Sequence, residues 1–363
     1  MLLSDFSFLY GNNNVVIKVD SRYSSEIGYG FLFETAPSED EDKKDSYPGN
    51  YSRLSEPTFV VDLPNGHYQV RITFGCNDKV ATTTVVSGAG QRMLKQVRTQ
   101  AGDKVCQSFA VSITSGRLYL AFLGENSVIL QIEVKQVDEL PTIYLAGDST
   151  VVDQASSQYP FTGWGQVLPS FLTADILVSN HGRSGRSSKS FIEEGRLEQI
   201  WKTIKPNDYL FIQFAHNDEK ENEGGTKPFT TYQQYLMEYI EGARERGAKP
   251  VLITPMHRRV FNNDENIVNT HGDYPEAMKQ VAQYSNTPLI DLAEKSKNLF
   301  EELGLEETKK VFMWLEPNEY KNLPEGTKDN THFSEYGAFE IAKLIVEGIQ
   351  ELPNIRLNNL LRV

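Results

Sequence analysis

The sequence predicts a two-domain α/β protein, with an antiparallel β-sandwich over residues 1–138 and a domain built on a parallel sheet over residues 139–363. Three observations predict this organisation. The chain of 363 residues is longer than one typical domain. Its first part alternates polar and apolar residues with period two. Its second part alternates apolar strands with amphipathic helices.

The first domain is predicted from short alternating segments that Gly, Asn, Asp and Pro separate, without helical periodicity. These segments are residues 67–75, 81–88, 117–124 and 128–137. Strands of this length and spacing are typical of an antiparallel β-sandwich. The segment 38–52 is polar and rich in turn-forming residues, so it is predicted to be an exposed loop.

The second domain shows strand–helix alternation. Strands are predicted at 142–147, 208–214, 250–254 and 288–292, and helices at 229–247, 275–285 and 336–352. Such alternation implies a parallel sheet with helices on both faces. Ligands bind at the carboxyl ends of the strands in these sheets, so functional residues are expected directly after a strand.

Charge and hydropathy exclude some classes of partner. The net charge is −13, with 49 acidic against 36 basic residues. Nucleic acids and anionic membranes attract basic surfaces, so neither is expected as a partner. The N-terminus has no basic start and no cleavage site, and no apolar run is long enough for a membrane span. A cytoplasmic protein is expected, although a secreted chain without its signal peptide would read the same.

The two cysteines, Cys76 and Cys106, are too few for a disulfide framework and lack metal-binding spacing. We expect two ordinary thiols, and a disulfide between them is the alternative if the protein is secreted. No metal or organic cofactor is expected.

Ser149 directly follows the predicted strand 142–147. A serine at a strand-to-helix junction lies near backbone N–H groups and is a candidate nucleophile. The alternative is that residues 147–150 form only a turn and a helix cap, since Gly, Asp, Ser and Thr all favour those places.

A serine nucleophile needs a base, usually histidine, and an orienting carboxylate. His332 precedes the last predicted helix, and Asp329 lies three residues before it. A loop of this pattern is expected to place the carboxylate beside the imidazole. The alternative is that both residues only cap the helix.

Donors for an oxyanion are the third requirement. Asn217 follows the strand 208–214 and carries a side-chain amide. The segment 178–191 is rich in Gly and Ser, so that a backbone N–H can approach a ligand closely. The alternatives are Asx-turn chemistry at Asn217 and a flexible loop at 178–191.

Five blocks in this order resemble the SGNH/GDSL hydrolases and, within them, the rhamnogalacturonan acetylesterases. They are YLAGDST (144–150), GWGQ (163–166), SNHGRSGRSSKSFIEEGR (179–196), FIQFAHND (211–218) and DNTHFSEYGA (329–338). The resemblance implies a flavodoxin-like three-layer αβα domain. It also implies that the first domain is similar to a galactose-binding-like sandwich. Such a domain either binds glycan or completes the walls of the cleft, and we favour a structural or cleft-shaping role because no aromatic pair stands out as a sugar platform.

The resemblance implies a role for each matching residue. Ser149 matches the nucleophile, His332 the base and Asp329 the orienting carboxylate. The oxyanion donors are the backbone of Ser149, the backbone of Gly185 and the amide of Asn217. Gly182 is the nearby alternative to Gly185. His181 and Asn330 depart from the residues common at their positions in the family.

The implied function is removal of acetyl groups from a pectic carbohydrate, either small or oligomeric. Weaker candidates for sugar contacts are Trp164, Arg186 and His271, with packing as the alternative for Trp164 and a solvated turn for His271. Two other functions stay open: a lipase- or thioesterase-like activity on the same scaffold, and non-catalytic carbohydrate binding.

Overall fold

A computed structural model describes residues 6–362 apart from 12, 19, 33–57, 76–78, 88–89, 127 and 354–355. The predicted loop at 38–52 and Cys76 therefore lie outside the described residues. Cys106 is a free, exposed thiol that accepts a hydrogen bond from Arg71 Nε at 2.8 Å.

The first part of the chain consists of strands, with no helix among its described residues. The strands are β1 (Phe6–Tyr10), β2 (Asn13–Ile17), β3 (Tyr29–Leu32), β4 (Thr58–Asp62), β5 (Gly66–Gly75), β6 (Ala81–Ser87), β7 (Gln91–Thr99), β8 (Lys104–Ile113), β9 (Arg117–Glu125) and β10 (Val128–Val137). They form two five-stranded sheets, ordered β2-β1-β10-β5-β8 and β3-β4-β9-β6-β7. The predicted antiparallel pairing holds except that β1 runs parallel to β10.

The two sheets enclose one core, which makes this part a β-sandwich. Strand β5 shows the cause, because Tyr68, Val70, Ile72 and Phe74 are buried at every second position. Successive side chains of a strand point to opposite faces, so period-two hydrophobicity buries one face. Phe59 and Phe122 of the facing sheet belong to the same apolar cluster.

The second part begins with β11 and builds a parallel sheet. Its strands are β11 (Thr142–Gly147), β12 (Leu177–Asn180), β13 (Tyr209–Gln213), β14 (Lys249–Ile253) and β15 (Leu289–Ile290), and a hairpin adds β16 (Phe312–Leu315) and β17 (Thr327–Phe333). Its helices are α1 (Trp164–Val167), α2 (Ser188–Glu193), α3 (Arg196–Trp201), α4 (Gln233–Glu245), α5 (Tyr274–Ser285), α6 (Leu292–Glu307) and α7 (Glu335–Glu351). The sheet order is β12-β11-β13-β14-β15, and every neighbouring pair is parallel.

Helices cover both faces of this sheet, so the domain has three layers as predicted. One apolar cluster joins the sheet to α1, α6 and α7, and another joins it to α2, α3, α4 and α5. Helix α4 shows the expected helical spacing, since Leu236, Tyr239, Ile240 and Ala243 are buried on one side. Helices α1, α2, α3 and α6 and the β16–β17 hairpin were not among the predicted elements.

Side chains of the sandwich bond directly to the second part of the chain. Arg92 on β7 is 1% exposed and forms an ion pair with Glu335 at 2.7 Å. Gln91 donates from Nε2 to Asp153 Oδ2 at 2.9 Å. Only residues 138–141 separate β10 from β11, whereas these bonds join residues 243 and 62 positions apart in the sequence. Within the described part of the chain, no helix is long and apolar enough to cross a membrane.

Candidate active site

Ser149 lies two residues after the carboxyl end of β11, the second strand of the parallel sheet. A Cβ at Gly147 would overlap the side chain of Val151, so the strand end needs glycine. Asp148 Oδ1 then accepts from the N–H of Thr150 at 2.9 Å and from its hydroxyl at 2.8 Å, which turns the chain. Residues 147–150 therefore form a turn, as the alternative interpretation expects, and the same turn positions the Ser149 hydroxyl.

The Ser149 hydroxyl contacts the ring of His332, which lies 183 residues later in the chain. The distance from Oγ to His332 Nε2 is 2.8 Å. Ser149 is 8% exposed, and the backbone carbonyl of Ser149 is held by the side-chain amide of Gln154 at 2.8 Å. A mostly buried hydroxyl in hydrogen-bond contact with an imidazole is the arrangement that an activated serine requires.

His332 and Asp329 lie on β17 and not on the predicted loop, because β16 pairs with this segment. Asp329 Oδ2 lies 2.7 Å from His332 Nδ1, while its Oδ1 accepts from the N–H groups of Thr331 and His332 at 2.7 and 3.1 Å. Burial opposes ionisation, but the bonds to His332 and the backbone outweigh it and hold the pKa of Asp329 below its usual value. A proton on Nδ1 faces this carboxylate, and Nε2 is then the ring nitrogen that accepts from Ser149.

Asn217 follows β13 and is oriented by two bonds. Its Nδ2 donates to the carbonyl of Arg186 at 3.1 Å, and its Oδ1 accepts from Lys220 Nζ at 2.6 Å. The two bonds assign the amide orientation and leave the second N–H of Nδ2 for a ligand. Lys220 was not predicted from the sequence, and its position three residues after Asn217 is the only signal.

Gly185 and Gly182 differ in how their backbone N–H groups are used. Gly182 N–H donates to Asn180 Oδ1 at 3.0 Å and is occupied. Within the described chain, Gly185 N–H has no acceptor, and its φ of 79° lies in the left-handed region that favours glycine. These contacts favour Gly185 over Gly182 as the available donor.

The Gly/Ser-rich segment is anchored, which corrects the flexible-loop alternative. Ser187 and Ser190 form a reciprocal capping box at the start of α2. Buried Asp218 accepts from both the N–H and the hydroxyl of Ser188, and Tyr239 donates to the Ser188 carbonyl at 2.8 Å. Burial raises the pKa of Asp218 to about 7. This segment is therefore tied to the residue that follows Asn217.

Two of the three predicted sugar contacts need correction. Trp164 is 1% exposed in the core, and its indole N–H donates to Gln213 Oε1 at 2.5 Å, so it packs and offers no ring face to a sugar. His271 is also 1% exposed and is neither a sugar contact nor a solvated turn residue. Its Nδ1 lies 2.8 Å from Glu219, and its Nε2 lies 2.9 Å from the Met256 carbonyl.

Arg186 remains near the candidate site but is already paired. Its Nε donates to both carboxylate oxygens of Glu194, at 2.9 and 3.0 Å, and its Nη1 donates to the Ser184 carbonyl. A contact between Arg186 and a uronic acid therefore stays a prediction that has to compete with Glu194.

A buried polar pair under the site was not predicted from the sequence. His216 precedes Asn217, is 4% exposed, and has Nδ1 3.5 Å from Asp148 Oδ2, the residue before Ser149. Burial lowers the pKa of His216 to about 4, so the ring is neutral. Burial raises the pKa of Asp148, but the contact with His216 and the bonds from Thr150 outweigh burial and lower this pKa. The pair connects the strand ends that carry Ser149 and Asn217.

The neutral state of His216 gives the stability a pH dependence that a His216→Gln variant removes. In the unfolded chain this histidine titrates near 6.5, so unfolding takes up a proton between that pH and about 4. The stability that the neutral ring of His216 gives to the folded protein is complete above about pH 6.5 and is lost as the pH falls toward 4. We therefore expect the free energy of unfolding, measured in urea, to fall between about pH 7 and pH 5 by up to ~2 kcal/mol more in the wild type than in the variant. Equal losses in both proteins would contradict a buried neutral His216.

The fold and these contacts define an α/β protein with the Ser–His–Asp arrangement of a serine hydrolase. Residues 145–338 match the GDSL-like lipase/acylhydrolase family, and the chain belongs to this family.

Relatives extend this comparison. Rhamnogalacturonan acetylesterase RhgT of Bacillus subtilis is 50% identical over 210 residues, which cover 58% of this chain and 90% of RhgT. YesY, a probable rhamnogalacturonan acetylesterase of the same organism, is 49% identical over 212 residues, which cover 58% of this chain and 93% of YesY. The crystal structure of YxiM from Bacillus subtilis aligns with 96% of this chain and 98% of its own, at 26% identity and a TM-score of 0.54. The similarity to YxiM therefore includes the sandwich.

Proposed function

We propose that the protein is a carbohydrate acetylesterase that removes acetyl groups from a rhamnogalacturonan-type pectic chain through a Ser–His–Asp acyl-enzyme mechanism. The observation that carries the mechanism is the 2.8 Å contact between Ser149 Oγ and His332 Nε2, with Asp329 on the other ring nitrogen. The substrate class is supported by the 50% identity to RhgT over 90% of that enzyme.

In the first step His332 Nε2 takes the proton of Ser149 Oγ as the oxygen bonds to the acetyl carbonyl carbon. The ring becomes an imidazolium, and the Asp329 carboxylate stabilises it from the Nδ1 side. Because the pKa of Asp329 is lowered, the carboxylate stays ionised and does not take that proton.

The carbonyl oxygen becomes an oxyanion in the tetrahedral intermediate. The proposed donors are the N–H of Ser149, the N–H of Gly185 and the amide of Asn217. Donors fixed before the reaction need no reorganisation when charge develops. Asn217 fits this requirement because Arg186 and Lys220 hold its amide in one orientation.

Collapse of the intermediate breaks the bond to the sugar oxygen, which takes the proton from His332 Nε2 and leaves as a hydroxyl. The acetyl group remains on Ser149 Oγ. A water molecule then gives its proton to Nε2 and attacks the acetyl carbon, and acetate leaves as Ser149 recovers its proton.

A lipase- or thioesterase-like activity needs a continuous apolar groove at the site. The large apolar side chains exposed in the described chain are Val16, Ile27, Val80, Phe229, Val268, Tyr284, Leu305 and Tyr336. None lies on the segments that carry Ser149 or Asn217, and Tyr336, on the first turn of α7, is the one that lies near His332 in the sequence. This distribution favours a polar substrate. The alternative of non-catalytic carbohydrate binding gives no reason for the contact between Ser149 and His332.

The function is tested by measuring acetate released from acetylated rhamnogalacturonan oligosaccharides and, in parallel, hydrolysis of long-chain acyl esters. We expect acetate release from the oligosaccharides and a kcat/KM for long-chain esters that is lower by at least ~10²-fold, since no large apolar side chain is exposed on the described segments that carry Ser149 and Asn217. Cleavage of long-chain esters without acetate release would overturn the acetylesterase assignment.

Replacing Asn217 with alanine removes one proposed oxyanion donor. We expect kcat for acetate release to fall by ~10²–10³-fold with little change in KM, because the donor acts mainly on the transition state. Asn222→Ala is the matched control, since its Oδ1 bonds only the backbone N–H of Gly224. Equal kcat values for the two variants would exclude the oxyanion role of Asn217.

A further inference from the structure

A cleft of about 660 Å³ lies between the β-sandwich and the hydrolase domain. Sheet strands β6, β7 and β9 form one wall, and Tyr159 with the first residues of α7 forms the other. Its size falls in the range of ligand sites, which occur preferentially at domain interfaces. None of the proposed catalytic residues lines it, so the cleft is separate from the reacting centre.

The hydrolase wall of this interdomain cleft is continuous with the segments around the proposed base. Glu335 lies three residues after His332, which is at most about 11 Å of extended chain. On the other segment, Phe161 packs its ring 4.7 Å from that of His332, and Tyr159 is two residues earlier. A chain-like substrate with one unit at Ser149 therefore has a neighbouring unit within reach of the cleft.

The two walls are locked together, so the cleft is preformed. Glu335 accepts from Arg92 of the sandwich at 2.7 Å and from the hydroxyl of Tyr159 at 3.0 Å. Arg92 is buried, and its pairing commits the Glu335 carboxylate. A preformed cleft avoids the cost of ordering its walls when a ligand binds.

Lys95 supplies the cleft with a cation that has no partner of opposite charge. Its Nζ lies 3.7 Å from the ring centroid of Phe339, and no carboxylate of the described chain is within ion-pair distance of it. Burial lowers the pKa of Lys95, while the more distant Glu340 and Glu335 raise it. A partly desolvated ammonium gains from an incoming carboxylate, since charge-assisted bonds are the stronger ones.

The rest of the lining fits a sugar. Tyr336 is 47% exposed and presents an aromatic face, while Gln96 and Glu125 offer groups that bond hydroxyls. We propose that this cleft is a subsite for a uronic acid unit of the substrate chain, with its carboxylate on Lys95 and its ring against Tyr336. The inference rests on the proposed function, because it assigns a second contact for the same polymer.

The subsite is tested by titrating deacetylated rhamnogalacturonan oligosaccharide into the full-length protein in a calorimeter, which requires no turnover. We expect Lys95→Met and Tyr336→Ala each to weaken binding about tenfold, and Lys95→Arg to restore most of the loss. Methyl esterification of the uronic acids removes their negative charge. It should weaken binding to the wild type as much as Lys95→Met does, and it should not weaken binding to Lys95→Met any further. Lys249→Met is the matched control, since Lys249 also lies over an aromatic ring, that of Tyr209 at 5.2 Å.

Turnover gives a second readout. We expect Lys95→Met to lower the ratio of kcat/KM for the acetylated oligosaccharide to kcat/KM for 4-nitrophenyl acetate about tenfold. The change should come from a higher KM for the oligosaccharide and not from its kcat. Wild-type affinity of both Lys95→Met and Tyr336→Ala for the oligosaccharide would overturn the subsite. Normal binding without any acetate release would instead overturn the proposed function and leave the subsite standing.

Discussion

Ser149→Ala is expected to lower kcat for acetate release by ~10⁵-fold or more. Alanine removes the oxygen that is proposed to form the acyl-enzyme, and no other hydroxyl bonds His332 Nε2 in the described structure. Thermal unfolding should be nearly unchanged, because Oγ makes only that one side-chain bond. Activity is measured as acetate release under substrate saturation.

Ser179→Ala is the matched control for this prediction. Ser179 Oγ lies 2.9 Å from His181 Nε2 at the end of β12, so the chain contains a second Ser–His contact. Burial lowers the pKa of His181 to about 4, and no carboxylate orients its ring in the described chain. We expect Ser179→Ala to change kcat by less than about threefold. Residual activity of Ser149→Ala above about a tenth of wild type would exclude Ser149 as the nucleophile.

Asp329→Asn is expected to lower kcat by ~10⁴-fold while the fold is preserved. The asparagine Oδ1 still accepts from the N–H groups of Thr331 and His332, so the strand keeps its geometry. Its Nδ2 now donates to His332 Nδ1, which moves the ring proton to Nε2. That nitrogen then donates to Ser149 and cannot accept the Ser149 proton.

Two measurements separate this tautomer effect from a loss of structure. Nitrogen NMR of the His332 ring should report a proton on Nδ1 in the wild type and on Nε2 in Asp329→Asn. Thermal unfolding should agree between the two proteins within a few degrees. An unchanged tautomer together with a large loss of activity would refute the orienting role, and an Asp329→Asn variant with near-wild-type kcat would show that the carboxylate is dispensable.

The order of secondary structure was predictable because its signals are local. Period-two hydrophobicity marked four strands of the sandwich, and helical spacing marked α4, α5 and α7. Strands β1 to β4, β7 and β8 were missed, and the parallel pairing of β1 with β10 joins residues about 120 positions apart, which no local pattern records. Helix α6 and the β16–β17 hairpin were also missed, so Asp329 and His332 were expected on a loop.

The position of Ser149 and Asn217 at one edge of the sheet was predictable for a topological reason, whereas His332 lies on the β16–β17 hairpin, which is not part of the parallel sheet. Parallel strands place their carboxyl ends at one edge of the sheet, so polar residues after successive strands are brought together. Burial was not predictable in the same way. Trp164 and His271 have residue types that suit sugar binding, yet long-range packing places both in the interior.

The sequence by itself determined the fold class, the order of the five blocks and the residue types that stand at the sheet edge. These follow from periodicity and from chemistry carried by single residues. Only the tertiary structure decided that Lys220 orients Asn217, that His216 lies against Asp148, and that Arg92 closes the sandwich onto Glu335. The last two contacts join residues 68 and 243 positions apart, and side-chain partners at such separations are set by packing of the whole chain and not by any local segment.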